Sequence, residues 1–208
     1  MSEQLLISAV ILAAGASRRM GQSKMLLPWG DTFVIQKVVT TLLNSGVYKP
    51  IIVTGRSSED IRKIVRSDQV LFAHNPNYET TEMLQSLQIG LHCLPGNAAA
   101  FLIVLGDQPQ IDSLIIHQIV AEFKTKRPSI IIPSYKFRRG HPWLVSKEWL
   151  PELLTMSDTA TLRDFLNTHK DAISYLNVDD SSVLMDLDTP DDYVRHKPQS
   201  TTENPDED

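Results

Sequence analysis

The chain has one cysteine, Cys93, in 208 residues. A lone thiol excludes an internal disulfide framework and suits a reducing compartment. No apolar run is long enough to span a bilayer. The opening MSEQLL is acidic and interrupted by polar residues, so no secretory signal is expected there. These absences predict a cytoplasmic protein with no membrane association. Strong net charge is also missing. The total is −5 at pH 7, and Glu203, Asp206, Glu207 and Asp208 supply most of it, leaving the rest near −1. A body that close to neutral gives no electrostatic reason to bind nucleic acid. Repeats and low-complexity segments are lacking too. The 42% hydrophobic fraction predicts one globular domain over residues 1–197. Residues 198–208 hold acid but no large apolar side chain and read as a disordered tail.

Acid is also absent locally. Between Gln4 and Gly30 there is no Asp or Glu, and within that stretch runs VILAAGASRRMGQSK, residues 10–24. The apolar run Ala9–Ala14 breaks at Gly15. Ser17, Arg18, Arg19, Gly21 and Lys24 follow. This reads as a buried strand opening into a loop of small residues that carries only positive charge. Such a loop offers backbone N–H groups and cations to an anion, most naturally a polyphosphate. It is neither GxxxxGK[ST] nor GxGxxG, so neither common glycine fingerprint explains it.

Strand-like runs at Ser8–Ala14, Pro50–Thr54, Val70–Ala73, Phe101–Leu105, Ser129–Pro133, Trp143–Ser146 and Ile173–Val178 alternate with helical patterns. The spacing of Val34, Val38, Leu42 and of Ile35, Val39, Leu43 predicts a helix over about 32–45, stopped by Gly46. A second helix is expected from Ser57 or Ser58 to about Arg66, with Ser57 and Asp60 resembling a capping box. Two more are expected around Met83–Leu91 and Leu114–Phe123. The alternation implies parallel βαβ units with both faces covered. In such sheets ligands bind beyond the carboxyl ends of the strands, where Gly15 and Asp107 both fall. The stretch from Pro133 to Pro151 breaks the alternation and reads as an inserted, substrate-facing unit.

Polyphosphate chemistry needs charge neutralisation and alignment. Mg²⁺ takes one or two protein carboxylates plus water and phosphate oxygens. Asp107, at the end of a very apolar strand, is the first candidate ligand, and Asp188 is the second, with Asp186 its rival. Asp191 and Asp192 are assigned to the start of a helix at Pro190, where carboxylates suit the dipole. Lys24 and Arg19 are the expected phosphate partners, Arg as a fork and Lys as a point charge. Arg18 is assigned to the solvated surface. Residues 123–147 carry Lys124, Lys126, Arg127, Lys136, Arg138, Arg139 and Lys147 with no acid, which suggests a second anion site. His141 lies in Gly-His-Pro within that stretch.

The first loop resembles the pattern LAAGxSxRMGxxK of the nucleotidyltransferases with a MobA-like fold. Leu105-Gly106-Asp107-Gln108-Pro109 is similar to that family's metal-binding turn, and Asp186–Tyr193 to its C-terminal acidic motif. Arg139-Gly140-His141-Pro142 resembles an element of the branch that cytidylylates molybdenum cofactor. The resemblance implies a three-layer α/β/α Rossmann-like fold with a mostly parallel sheet, and Mg²⁺ at Asp107 and Asp188. It implies nucleotide contacts from Leu12, Ala13, Ala14, Gly15, Lys24, Asn75 and Ser86, catalytic roles for Arg19, Lys24 and Asp107, and acceptor contacts from Arg139 and His141. Ala13-Ala14 and Gln108 depart from the guanylyl branch and imply CTP as donor. The implied acceptor is the phosphate of a molybdopterin-type cofactor, with a molybdenum-dependent dehydrogenase as its eventual recipient. Glu82 departs from the family pattern, which has glycine there. A transferase using a sugar phosphate or other phosphorylated acceptor is one rival reading. A non-catalytic carrier of the cofactor for a molybdenum hydroxylase is another.

Overall fold

A computed structural model describes residues 5–15 and 20–198. The chain opens with β1 (Leu6–Ala13), a short hairpin of β2 (Pro28–Trp29) and β3 (Thr32–Phe33), and α1 (Val34–Asn44). Then come β4 (Ile51–Thr54), α2 (Ser58–Ile64), β5 (Leu71–His74), α3 (Met83–Leu91) and β6 (Ala98–Leu105). The second half holds α4 (Ser113–Lys126), β7 (Ile130–Tyr135), β8 (Arg138–Arg139), β9 (Trp143–Ser146), α5 (Leu150–Thr155), α6 (Leu162–Thr168), β10 (Ile173–Asn177) and α7 (Pro190–His196).

The main sheet has the order β10-β7-β9-β6-β1-β4-β5, with β8 paired to β7. β1 runs parallel to β4 and β6, β4 to β5, and β10 to β7. Only β8 and β9 run the other way within it, β9 entering between β6 and β7. The period-two alternation of the strands splits the core into two layers. Ile7, Ala9, Ile11 and Ala13 of β1 face one side, with Ala100, Leu102 and Val104 of β6, under Ile35, Val38 and Leu42 of α1 and Ile115, Ile116 and Ile119 of α4. Val10, Phe101 and Ile103 face the other, under Leu84, Leu87 and Leu91 of α3, Leu153 of α5 and Phe165 of α6. Helices on both faces of a mostly parallel sheet make the expected three-layer α/β/α arrangement.

Gly90 sets the distance between α3 and the sheet. A Cβ there would lie 2.4 Å from Val10 Cγ1 and 2.7 Å from Val53 Cγ2, so only glycine lets the helix lie this close over β1 and β4. That approach brings the N-terminus of α3 to the carboxyl edge of the sheet.

The structure corrects parts of the sequence reading. The strand at Trp143–Ser146 is antiparallel and sits inside the sheet, so the 133–151 stretch is partly core and not wholly an insertion. Helices α5 and α6 were not anticipated. Each spans only two turns, too short for a clear helical period, although Thr161 with Asp164 forms a capping box that marks the start of α6. The capping box expected of Ser57 does not form. Its backbone at φ −94°, ψ 27° is not extended, and its hydroxyl makes no cap hydrogen bond. Among the described residues no helix is long and apolar enough to cross a membrane. The tail from 199 on, and Ser17, Arg18 and Arg19 of the first loop, lie outside the described residues.

Candidate active site

β1 and β6 end together. Leu12 stands opposite Leu105 in their register, and the Gly106 N–H donates to the Leu12 carbonyl at 3.0 Å. Gly15 and Asp107 therefore meet at one sheet edge, as the strand pattern predicted. A cleft of about 370 Å³ opens there. It is lined by Leu12, Ala14 and Gly15 at the end of β1, by Tyr78, Thr81, Glu82, Met83 and Ser86 around the start of α3, and by Lys24, Met25, Leu105, Asp107, Asp186 and Asp188. That size suits a small-molecule site.

Three separate segments build the charged floor. Lys24 begins a single 3-10 turn, Lys24–Leu26, anchored by buried Met25. Asp107 leaves the end of β6. Asp186 and Asp188 flank Leu187, which is fully buried among Leu27, Trp29 and Val34. Behind them Thr189 and Asp192 close a capping box on α7, with the Asp192 carboxylate accepting from the Thr189 N–H at 2.9 Å. Asp192 thus has the helix-start role assigned to it, and its capping hydrogen bonds hold its pKa below the usual carboxylate value.

The Lys24 Nζ donates to Asp188 Oδ1 at 2.7 Å and to Asp107 Oδ2 at 3.1 Å. The lysine side chain is 11% exposed, Asp107 20% and Asp188 50%. Burial opposes the ammonium, but the Asp188 hydrogen bond and the Asp107 charge outweigh it, so the Lys24 pKa rises above its ordinary value. Asp186 differs. Burial pushes its pKa up, and the nearby Asp107 and Asp188 charges add to the rise, against a hydrogen bond that Gln108 Nε2 donates at 2.7 Å.

Sequence reasoning missed this bracing. Gln108 is buried and holds Asp186, and Gln110 Nε2 donates to the Met185 carbonyl at 2.6 Å. The two glutamines tie the turn after β6 to the acidic segment. Two glutamines spaced by one just after a very apolar strand, Gln108 and Gln110, were the available signal. Tyr78, Thr81, Met83 and Met25 line the cleft without any motif that marks them.

The other sequence candidates divide. Leu12, Ala14, Gly15, Lys24, Ser86, Asp107 and Asp188 come together in the cleft. Ala13 is buried behind it: a Cβ on Gly106 would lie 3.2 Å from the Ala13 methyl. Asn75 is also set back. Its Nδ2 donates to Thr81 Oγ1 at 2.9 Å and Ser86 Oγ at 3.0 Å, so it braces the wall from a neighbouring cleft. Arg19 lies outside the described residues. Arg139 is exposed on β8, its guanidinium over the Tyr175 ring. His141 stacks on Trp143 with ring centroids 4.4 Å apart. Its backbone N–H donates to the Val183 carbonyl at 2.9 Å, which joins the Gly-His-Pro turn to the segment that carries Asp186 and Asp188. Burial lowers the His141 pKa to about 4, against a hydrogen bond to the Ile103 carbonyl that favours the protonated ring.

The fold that carries this cleft is shared with known proteins. Residues 9–173 match the MobA-like NTP transferase domain. The chain belongs to this family. This MobA-like nucleotidyltransferase is 28% identical over 202 residues to the molybdenum cofactor cytidylyltransferase of Escherichia coli K12, a match covering 94% of this chain and 97% of that protein. Its fold is similar to that of the Rv0371c protein of Mycobacterium tuberculosis H37Rv, at a TM-score of 0.80 and 26% identity over 92% of this chain and 96% of that one. A manganese complex of Rv0371c matches at a TM-score of 0.77 and 25% identity, over 91% of this chain and 97% of that one.

Proposed function

We propose that this nucleotidyltransferase is magnesium-dependent and transfers CMP from CTP to the phosphate of a molybdopterin-type cofactor, releasing pyrophosphate. The observation that carries the reading is the convergence of Asp107 and Asp188 on one point, the Lys24 Nζ, at the floor of the cleft. Two carboxylates that share a cation within hydrogen-bond distance match the small protein-ligand set that Mg²⁺ takes. Manganese in the Rv0371c complex supports a divalent site in this fold. Bound at Asp107 and Asp188, Mg²⁺ would neutralise phosphate charge.

The chain's own groups then have separate tasks. Asp107, Asp186 and Asp188 stand around Lys24 in the described lining, so a triphosphate needs cations to enter. Lys24 turns from the carboxylates to the phosphates, and Arg19 joins it from the first loop. Leu12, Ala14, Gly15 and Ser86 enclose the nucleoside, and Ala13 and Asn75 hold the walls from behind. An oxygen of the acceptor phosphate attacks the α-phosphorus, and the bond to the β-phosphate oxygen breaks. Arg139 and His141 take the acceptor, His141 as an uncharged ring at neutral pH. The cytidylylated cofactor passes to a molybdenum-dependent dehydrogenase.

The test is pyrophosphate release from each of the four ribonucleoside triphosphates, with and without molybdopterin, in Mg²⁺ and after chelation. Release that needs CTP, acceptor and metal together is expected. Release with no acceptor dependence overturns the acceptor assignment, and no release from any nucleotide overturns the whole reading. A carrier, which needs no triphosphate site, would bind the cofactor and release nothing.

A further inference from the structure

We infer that Glu82 reads the base of the nucleotide, accepting a hydrogen bond from the exocyclic amine of cytosine and turning away uracil. The inference rests on the nucleotidyltransferase reading above and adds the residue that selects the donor.

Glu82 is the residue before α3, with an extended backbone at φ −82°, ψ 174°. Its side chain does not turn back to cap the helix. It is exposed, and it lines the cleft beside Tyr78, Thr81, Met83 and Ser86, at the border with a neighbouring cleft that holds Asn75 and Gln85. Among the described residues it has no hydrogen-bond or ion-pair partner. Its carboxylate is therefore available to accept from a molecule bound in the cleft.

Its place in the fold says which end of a nucleotide it meets. Met25, next to Lys24, packs in the layer under α1 and α4, whereas Leu84 and Leu87 of α3 pack in the layer on the opposite face of the sheet. The cleft thus runs across the sheet edge, from a cationic corner at Lys24 to a corner at α3 that has no cation in its described lining. Phosphates belong at the first corner, which leaves the base for the second.

The chemistry of a carboxylate then decides between bases. Ionised, it only accepts. Cytosine offers its N4 amine, the usual partner of Glu or Asp on that base. Uracil offers a carbonyl oxygen at the same place, so two acceptors would face each other. Guanine also carries donors, and the carboxylate alone does not reject it. Space does that, through the Ala14 and Met83 side chains that line the cleft.

The experiment compares kcat/KM for CTP, UTP and GTP in the full-length wild type, Glu82→Gln and Glu82→Ala. Alongside it, calorimetry measures binding of the nonhydrolysable α,β-methylene analogues of CTP and UTP. Wild type should prefer CTP over UTP by at least about tenfold, the scale of one base-edge contact. In Glu82→Gln the preference should fall to within about threefold, because an amide can accept from the amine or donate to the carbonyl. The loss for CTP should fall on KM and on analogue affinity. Glu82 makes no cap bond, so both variants should melt as the wild type does. A CTP-to-UTP ratio unchanged in both folded variants overturns the assignment of Glu82 and leaves nucleotidyl transfer standing. A wild type that neither binds nor turns over any of the nucleotides overturns both.

Discussion

Lys24 donates to Asp188 at 2.7 Å across 164 residues of sequence, and to Asp107 at 3.1 Å across 83. One ammonium thus gathers carboxylates from two distant segments into the place where phosphate and cation must later meet. A partly buried pair of acids with no cation between them would repel, so the lysine fixes the floor before substrate arrives. Once a divalent ion and a triphosphate enter, the same lysine has phosphate oxygens to bind instead.

Asp107→Asn should fold normally and lose at least about 10²-fold in turnover, the scale of one lost electrostatic stabiliser. The amide oxygen can still accept from Lys24, so the melting temperature should stay close to that of the wild type. It cannot supply the negative charge that a cation needs. Pyrophosphate release at saturating CTP is the measurement, and near-normal turnover in a folded variant removes Asp107 from the reaction.

Lys24→Ala should raise the barrier by roughly 3 kcal/mol, the value of a charged donor lost at a developing anion. It should also expose the competition at the floor. With no ammonium between Asp107 and Asp188, added Mg²⁺ should raise the melting temperature of Lys24→Ala more than that of the wild type. Thermal melts across a Mg²⁺ titration test this. Equal shifts in the two proteins would show that lysine and metal do not share the place.

Much of this site was legible in the sequence because its parts end apolar strands. Gly15 and Asp107 each follow a run whose burial is obvious, and a parallel sheet puts such ends on one edge. Lys24 stood out as a charge in a stretch without acid, whereas Asp188 lay among crowded acids with Asp186 as its rival. The registers that bring them together are tertiary and left no local mark. The turned-back strand Trp143–Ser146 looked like any other buried strand, since burial pattern does not encode direction. Ala13 and Ala14 read alike as small residues by the base. Alternation along β1 sends Ala13 to the layer under α1 and Ala14 to the layer under α3, where the cleft wall lies.

His141 makes a pH prediction. Its folded pKa of about 4 lies below the ordinary 6.5, because burial disfavours the charged ring. As pH falls through 6.5 the unfolded chain takes up the proton first. Stability present above pH 6.5 is therefore lost between 6.5 and about 4, up to roughly 3 kcal/mol if the whole shift is expressed. His141→Phe keeps an aromatic ring for Trp143 to stack on and does not titrate, so its stability should fall less over that range. Urea unfolding at pH 7, 5.5 and 4.5 measures the difference. Parallel losses in the two proteins would assign the pH dependence elsewhere.

The choice between CTP and GTP turns on space more than on charge. Cytosine and guanine both carry amines that Glu82 can accept from, so the carboxylate separates neither from the other. Ala14 lines the same cleft as Glu82, while Ala13, which the sequence also offered, is buried behind it. One methyl at the base should favour the smaller ring. The expected kcat/KM for CTP exceeds that for GTP by at least about tenfold, or about 1.4 kcal/mol. Ala14→Gly removes that methyl and should narrow the gap by raising turnover with GTP, with little change for CTP. Side-by-side turnover at matched Mg²⁺, with molybdopterin as acceptor, decides it. A wild type that uses both nucleotides equally, or prefers GTP, rejects the cytidylyltransferase assignment. A CTP preference that survives Ala14→Gly keeps the assignment and moves the discrimination to Met83 or to the first loop.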